Sequence, residues 1–111
     1  MKSAAAGVFA RLFQTIESRK QASPSSSYTA RLFGKGVPAI NDKIREEAGE
    51  VCEAGLEPGT AHLVHEIADL LFHTFVLASH RGLGLGEIEA ELARRFGKSG
   101  LEEKAERKGN D

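Results

Sequence analysis

The chain has 111 residues, 41% hydrophobic and 28% charged, with a net charge of −1. That balance excludes a nucleic-acid binder working by bulk charge, and the single Cys52 excludes a disulfide framework or a thiolate zinc cluster. With no uninterrupted apolar run of about 18 residues, no membrane span is expected. The length fits one domain over 1–111, with a core of about 4–97 and a short helical tail over 98–111. So small a core often gains from dimerisation. The lone cysteine fits a reducing, cytoplasmic setting.

The elements read as helices throughout. Val8, Phe9, Leu12, Phe13 and Ile16 recur at helical spacing, so an amphipathic helix is expected over roughly 4–20. Its apolar stretch is broken at Arg11, too soon for a signal peptide. The loop QASPSS follows. Ser27 is then an expected N-cap for a short helix, YTARLF, stopped by Gly34 and Gly36. Pro38 suits a first helical turn, where its missing N–H costs nothing, and the helical pattern runs from there to Ala54, with Gly55 as the stop. Pro58, Gly59 and Thr60 form a turn and cap. A long helix covers Ala61–Arg81 and ends at Gly82. After a turn at Leu83–Gly86, Ile88, Leu92 and Phe96 line one face of a further helix ended by Gly97. Ser99 and Glu102 have capping-box spacing, so a last helix is expected from Gly100 to about Lys108. No segment alternates like a strand. The expected class is all-α, a helical bundle completed by homodimerisation.

The long helix carries the chemistry. Its wheel is apolar nearly all round, apart from a narrow stripe of His62, Glu66, Asp69, His73 and His80. A helix apolar on most sides must be buried on most sides, which implies a second subunit. The stripe then faces a cleft, because buried charge is costly unless it is paired. The preceding helix has Ile40, Ile44, Ala48 and Val51 as its apolar stripe. Glu47 and Glu50 lie at that stripe's edge, while Glu46 and Glu53 point towards solvent. Each of two consecutive helices therefore offers an acidic i,i+3 pair. An antiparallel hairpin would face Glu47/Glu50 and Glu66/Asp69 across one gap. Four carboxylates repel unless a cation neutralises them, and all-oxygen ligands favour Mg²⁺, with Mn²⁺ as a substitute. A di-iron centre would need Glu-x-x-His motifs, which these pairs lack.

These residues resemble a known family. EEAGE at Glu46–Glu50 with EIAD at Glu66–Asp69 resembles the EExxE…ExxD signature of MazG-type all-α nucleoside triphosphate pyrophosphohydrolases. SYTARL at Ser27–Leu32, Lys43, DLLFH at Asp69–His73 and LARR at Leu92–Arg95 are similar to the phosphoribosyl-ATP pyrophosphatases of histidine biosynthesis. The resemblance spans about residues 9–96. It implies a Mg²⁺-dependent homodimer that converts phosphoribosyl-ATP and water into phosphoribosyl-AMP and pyrophosphate. It places Glu47, Glu50, Glu66 and Asp69 as metal ligands. Glu46 matches the first acidic position, where orienting a ligand, holding a second cation and activating water all remain open. Glu46 and Glu47 form the expected catalytic pair. Expected substrate contacts are Ser27, Tyr28, Thr29, Arg31, Lys35, Lys43, His73 and Arg95, with Arg19 and Lys20 as further basic groups. The alternative is a house-cleaning pyrophosphohydrolase acting on non-canonical or deoxy nucleotides. A non-enzymatic helical dimer is the rival from another class. The chain departs from the family pattern at Gly49, where alanine is common, and at Phe72, where tyrosine is frequent. With this length and no cysteine-based zinc site, the cyclohydrolase domain fused to some members is not expected here.

Overall fold

The structure, a computed structural model, describes the backbone of residues 4–110 and the side chains of residues 7–107. Six helices follow in chain order: α1 (Ala4–Ser18), α2 (Tyr28–Lys35), α3 (Val37–Ala54), α4 (Ala61–His80), α5 (Leu85–Arg94) and α6 (Gly100–Asn110). There is no strand among the described residues, so the fold class is all-α.

Local chemistry sets most of the boundaries. At the start of α2, the Ala30 N–H donates to Ser27 Oγ at 3.1 Å, which satisfies one of the orphan donors of the first turn. The stop is Gly36 alone, at φ +87°, a left-handed value that a side chain would resist; Gly34 stays inside the helix. Val37 is the first residue of α3, and Pro38 occupies its first turn. Thr60 stands in the cap position of α4, but its side chain makes no capping bond. At α5 the Gly84 N–H donates to Glu87 Oε2 at 2.8 Å, so the helix begins at Leu85, inside the stretch expected to be a turn. It stops at Arg94. Phe96 therefore lies beyond the helix and is largely exposed, not in line with Ile88 and Leu92. Ser99 Oγ accepts from the Glu102 N–H at 3.1 Å and caps α6.

The core is built by α1, α2, α3 and α4 around Phe13, Ile16, Leu32, Ile40, Phe75 and Val76. Ile16, Ile40 and Val76 are fully enclosed, and each such side chain stabilises by about 1.5–3 kcal/mol relative to exposure. The α3–α4 hairpin is the dominant packing contact. By length and composition alone α4 could cross a membrane, with a mean hydropathy of 1.2. Here it is the central helix, and its inward face carries Glu66 and His73 beside Phe75 and Val76. Its apolar residues do not all turn inward. Val64 is 66% exposed and Ile67 is exposed beside it. A buried polar knot ties α1 to the end of α4. Ser79 Oγ donates to Glu17 Oε1 at 2.7 Å, and Lys20 Nζ donates to the Ser79 carbonyl at 2.9 Å.

Candidate active site

The acidic pairs meet where α3 and α4 run antiparallel. Glu46, Glu47 and Glu50 each place one carboxylate oxygen within 4.8 Å of the others; Glu66 and Asp69 form a second such set with a ring nitrogen of His65. The two sets are joined across the hairpin. Glu66 influences the Glu50 carboxyl, and the charge of Asp69 acts on Glu47. Glu47 and Glu66 are each only 5% exposed, whereas Glu50 and Asp69 are half-buried.

Burial is the main reason that the Glu47 carboxyl is pushed up to about 7; the hydrogen bond and charge of Glu50 and the charge of Asp69 add to it, and Lys43 opposes it. Glu50 is held below the usual carboxylate range, first by its hydrogen bond with Glu66. One oxygen of Glu47 and one of Glu66, Oε2 in each case, are buried without a hydrogen-bond partner. An orphaned buried carboxylate oxygen costs several kcal/mol unless a cation or proton satisfies it. This donor set, all oxygen and multiply anionic, fits a hard divalent cation such as Mg²⁺ or Mn²⁺.

The other expected residues fall into distinct places. Lys43 Nζ lies 3.1 Å from Glu46 and 3.9 Å from Glu47, beside the cluster. Tyr28, 45% exposed, is near enough that the charges of Lys43, Glu47, Glu46 and Asp69 all act on its phenol. His73 lies behind Tyr28, only 5% exposed. Ser27 is committed to its cap, and Thr29 is buried. Arg31 is exposed and donates to the Pro24 carbonyl at 3.2 Å, pinning the serine loop. Lys35 is exposed at the end of α2, and Arg19 is exposed after α1. Lys20 is bound up with Glu17 and Ser79. Arg95 is drawn away from the cluster, with Glu91 at 2.9 Å and Glu103 at 3.9 Å. A carboxylate one turn back on its own helix holds it there.

The contacts of two histidines were missed by the sequence reading. His62 bridges Glu57, at 3.0 Å, and Glu66, at 3.1 Å. His65, taken to lie off the polar stripe, brings Nε2 to 3.3 Å from Asp69. The His62–Glu66 and His65–Asp69 i,i+4 spacings were the available signal. The departure at Gly49 does not mark a close helix approach, since a Cβ there would meet nothing within 4 Å. A cleft of about 590 Å³ lies at the other end of the hairpin among Val37, Leu77, Leu83 and Ile88. It is apolar and contains none of the clustered carboxylates, so chemistry rather than size marks the site.

Fold and site together define an all-α protein whose polar centre is a carboxylate cluster in a helical hairpin, consistent with the MazG type. The chain belongs to the phosphoribosyl-ATP pyrophosphohydrolase family, whose sequence profile matches residues 9–96. Three similar proteins carry the name phosphoribosyl-ATP pyrophosphatase. That of Neisseria meningitidis serogroup C is 50% identical over 100 residues, covering 90% of this chain and 94% of its own. That of Chromobacterium violaceum is 48% identical over 101 residues, covering 91% and 94%. That of Rhodopirellula baltica is 49% identical over 100 residues, covering 87% and 83%.

Proposed function

We propose that this chain hydrolyses phosphoribosyl-ATP to phosphoribosyl-AMP and pyrophosphate, the second step of histidine biosynthesis, as a Mg²⁺-dependent homodimer. The observation that carries the reading is the four-carboxylate cluster with two buried, unpartnered oxygens, in a chain of this family. Glu47, Glu50, Glu66 and Asp69 would hold the cation. Once bound, Mg²⁺ would supply charge neutralisation for the phosphates and a polarised water.

The chain's own groups do the rest. Lys43, held beside Glu46 and Glu47, presents an ammonium to phosphate oxygens. Water attacks at the α–β linkage, a new P–O bond forms, and the bridging P–O bond breaks to release pyrophosphate. Glu46, exposed at the edge of the cluster, and Glu47 would take the proton of that water. Support for the homodimer is the exposure of apolar residues on two helices, Val64 and Ile67 on α4 and Val8 and Phe9 on α1. Phe9 meets Phe75 of α4 edge-on, with ring centroids 6.1 Å apart.

The test is pyrophosphate release from a panel of phosphoribosyl-ATP, ATP and deoxynucleoside triphosphates, each with Mg²⁺, with Mn²⁺ and with chelator. Turnover of phosphoribosyl-ATP that stops with chelator is the expected result. Rapid hydrolysis of a deoxynucleotide with none of phosphoribosyl-ATP would overturn the assignment.

A further inference from the structure

His73 makes two hydrogen bonds that fix its tautomer. Its Nδ1 lies 2.8 Å from the backbone carbonyl of Asp69, and a carbonyl can only accept, so Nδ1 carries the hydrogen. The ring is buried, packed edge-on against Phe72 and Tyr28, and has no carboxylate partner. Its Nε2 is therefore an acceptor, and the group 2.9 Å away is the Tyr28 hydroxyl. The phenol must spend its one hydrogen on His73. The Tyr28 oxygen, near enough to the acidic cluster for its charges to act on the phenol, can then only accept. Such an oxygen repels phosphate, which offers acceptors alone, and welcomes a hydroxyl. In a nucleotide whose α–β linkage lies at the carboxylates, the nearest donors are the ribose hydroxyls, one ester bond beyond the α-phosphate.

We infer that Tyr28, locked by His73, is a specificity-determining residue that accepts a hydrogen bond from a ribose hydroxyl of the substrate, with His73 as its positioning residue. This rests on the proposed reaction. It also separates Tyr28 from phosphate binding, which remains with Lys43 and the cation site. A contact made equally in ground and transition states acts on KM more than on kcat. Losing one neutral hydrogen bond of this kind lowers kcat/KM about two- to thirteenfold.

The test has two independent readouts. ¹⁵N NMR of the imidazoles in the full chain, assigned with His73→Asn, should find His73 neutral with its hydrogen on Nδ1. A hydrogen on Nε2 would overturn the proposal. Kinetics then compare phosphoribosyl-ATP with analogues lacking single ribose hydroxyls. Tyr28→Phe should lower kcat/KM for the parent about two- to thirteenfold, mainly through KM. For one deoxy analogue the same substitution should cost less than twofold. His73→Asn keeps a donor for the Asp69 carbonyl but offers Tyr28 no equivalent acceptor, and should relax the same discrimination. An equal loss for every analogue, or a loss confined to kcat, would refute the assignment. If the unaltered chain hydrolyses no phosphoribosyl-ATP, the reaction itself is wrong, and the NMR result still reports the lock separately.

Discussion

Cation binding should be coupled to the proton on Glu47. Burial and the neighbouring carboxylates push that carboxyl up to about 7, so about half of the cation-free molecules hold a proton there at neutral pH. A ligating carboxylate must be ionised, so binding expels this proton. Competition multiplies the apparent Kd by one plus the ratio of protonated to ionised Glu47. That factor is about 11 at pH 6 and about 1.1 at pH 8, so Mg²⁺ should bind about tenfold more weakly at pH 6, a difference of ~1.4 kcal/mol. Proton release should fall from about 0.9 to about 0.1 per ion over the same range. Titration calorimetry in two buffers of different ionisation enthalpy measures both quantities. His62 is raised above its ordinary value, first by its hydrogen bond to Glu57, and could contribute protons of its own. A His62→Gln variant should retain the tenfold ratio, and a Glu47→Gln variant should lose it. The stability of the cation-free protein carries the same signature. A carboxyl raised above its ordinary 4.5 contributes stability below that value, and this is lost as the pH climbs through about 7. Glu50, shifted downward, acts in the opposite sense and at lower pH. Melting temperature without cation should therefore fall between pH 5 and 8, and saturating Mg²⁺ should remove the fall. Equal affinity at pH 6 and pH 8 with no proton released would refute the reasoning.

Replacing Glu66 by Gln or Asp69 by Asn should abolish Mg²⁺-dependent pyrophosphate release while leaving the cation-free protein as stable as before or more so, since crowded carboxylates repel. Mg²⁺ at ~100 times its Kd should add about 2.7 kcal/mol to the unaltered protein, and melts of these variants should show most of that gain lost. Light scattering at micromolar concentration should report twice the 12.0 kDa of one chain, and Val64→Asp should lower that mass; a folded monomer in the unaltered protein would contradict the dimer. Phe75, also on α4, is a poor probe of that surface because it belongs to the core. Gly49→Ala, with open space for its Cβ, should raise stability by about 0.5–1 kcal/mol in a thermal melt.

The helices and their ends were legible from short-range chemistry. The apolar spacing of α1, α3 and α4, the caps at Ser27 and Ser99 and the stop at Gly36 each depend on residues within a turn or two. So does the acidic i,i+3 spacing, which with a short connection is enough to bring Glu47, Glu50, Glu66 and Asp69 to one hairpin. Phe96 shows the limit of that reading, since its helical spacing survives on paper past the point where the chain leaves the helix. Periodicity also fixes angles around one helix but not the rotation of that helix against its neighbours. Packing alone therefore decided that Glu47 and Glu66 are the enclosed pair, with Glu50 and Asp69 only half-buried, and hence that Glu47 is the carboxyl raised to about 7. It decided too that Arg95 is spent on Glu91 and Glu103. And it set His73 between Tyr28 and the Asp69 carbonyl, because a hydrogen bond between residues far apart in the chain exists only once two helices have docked.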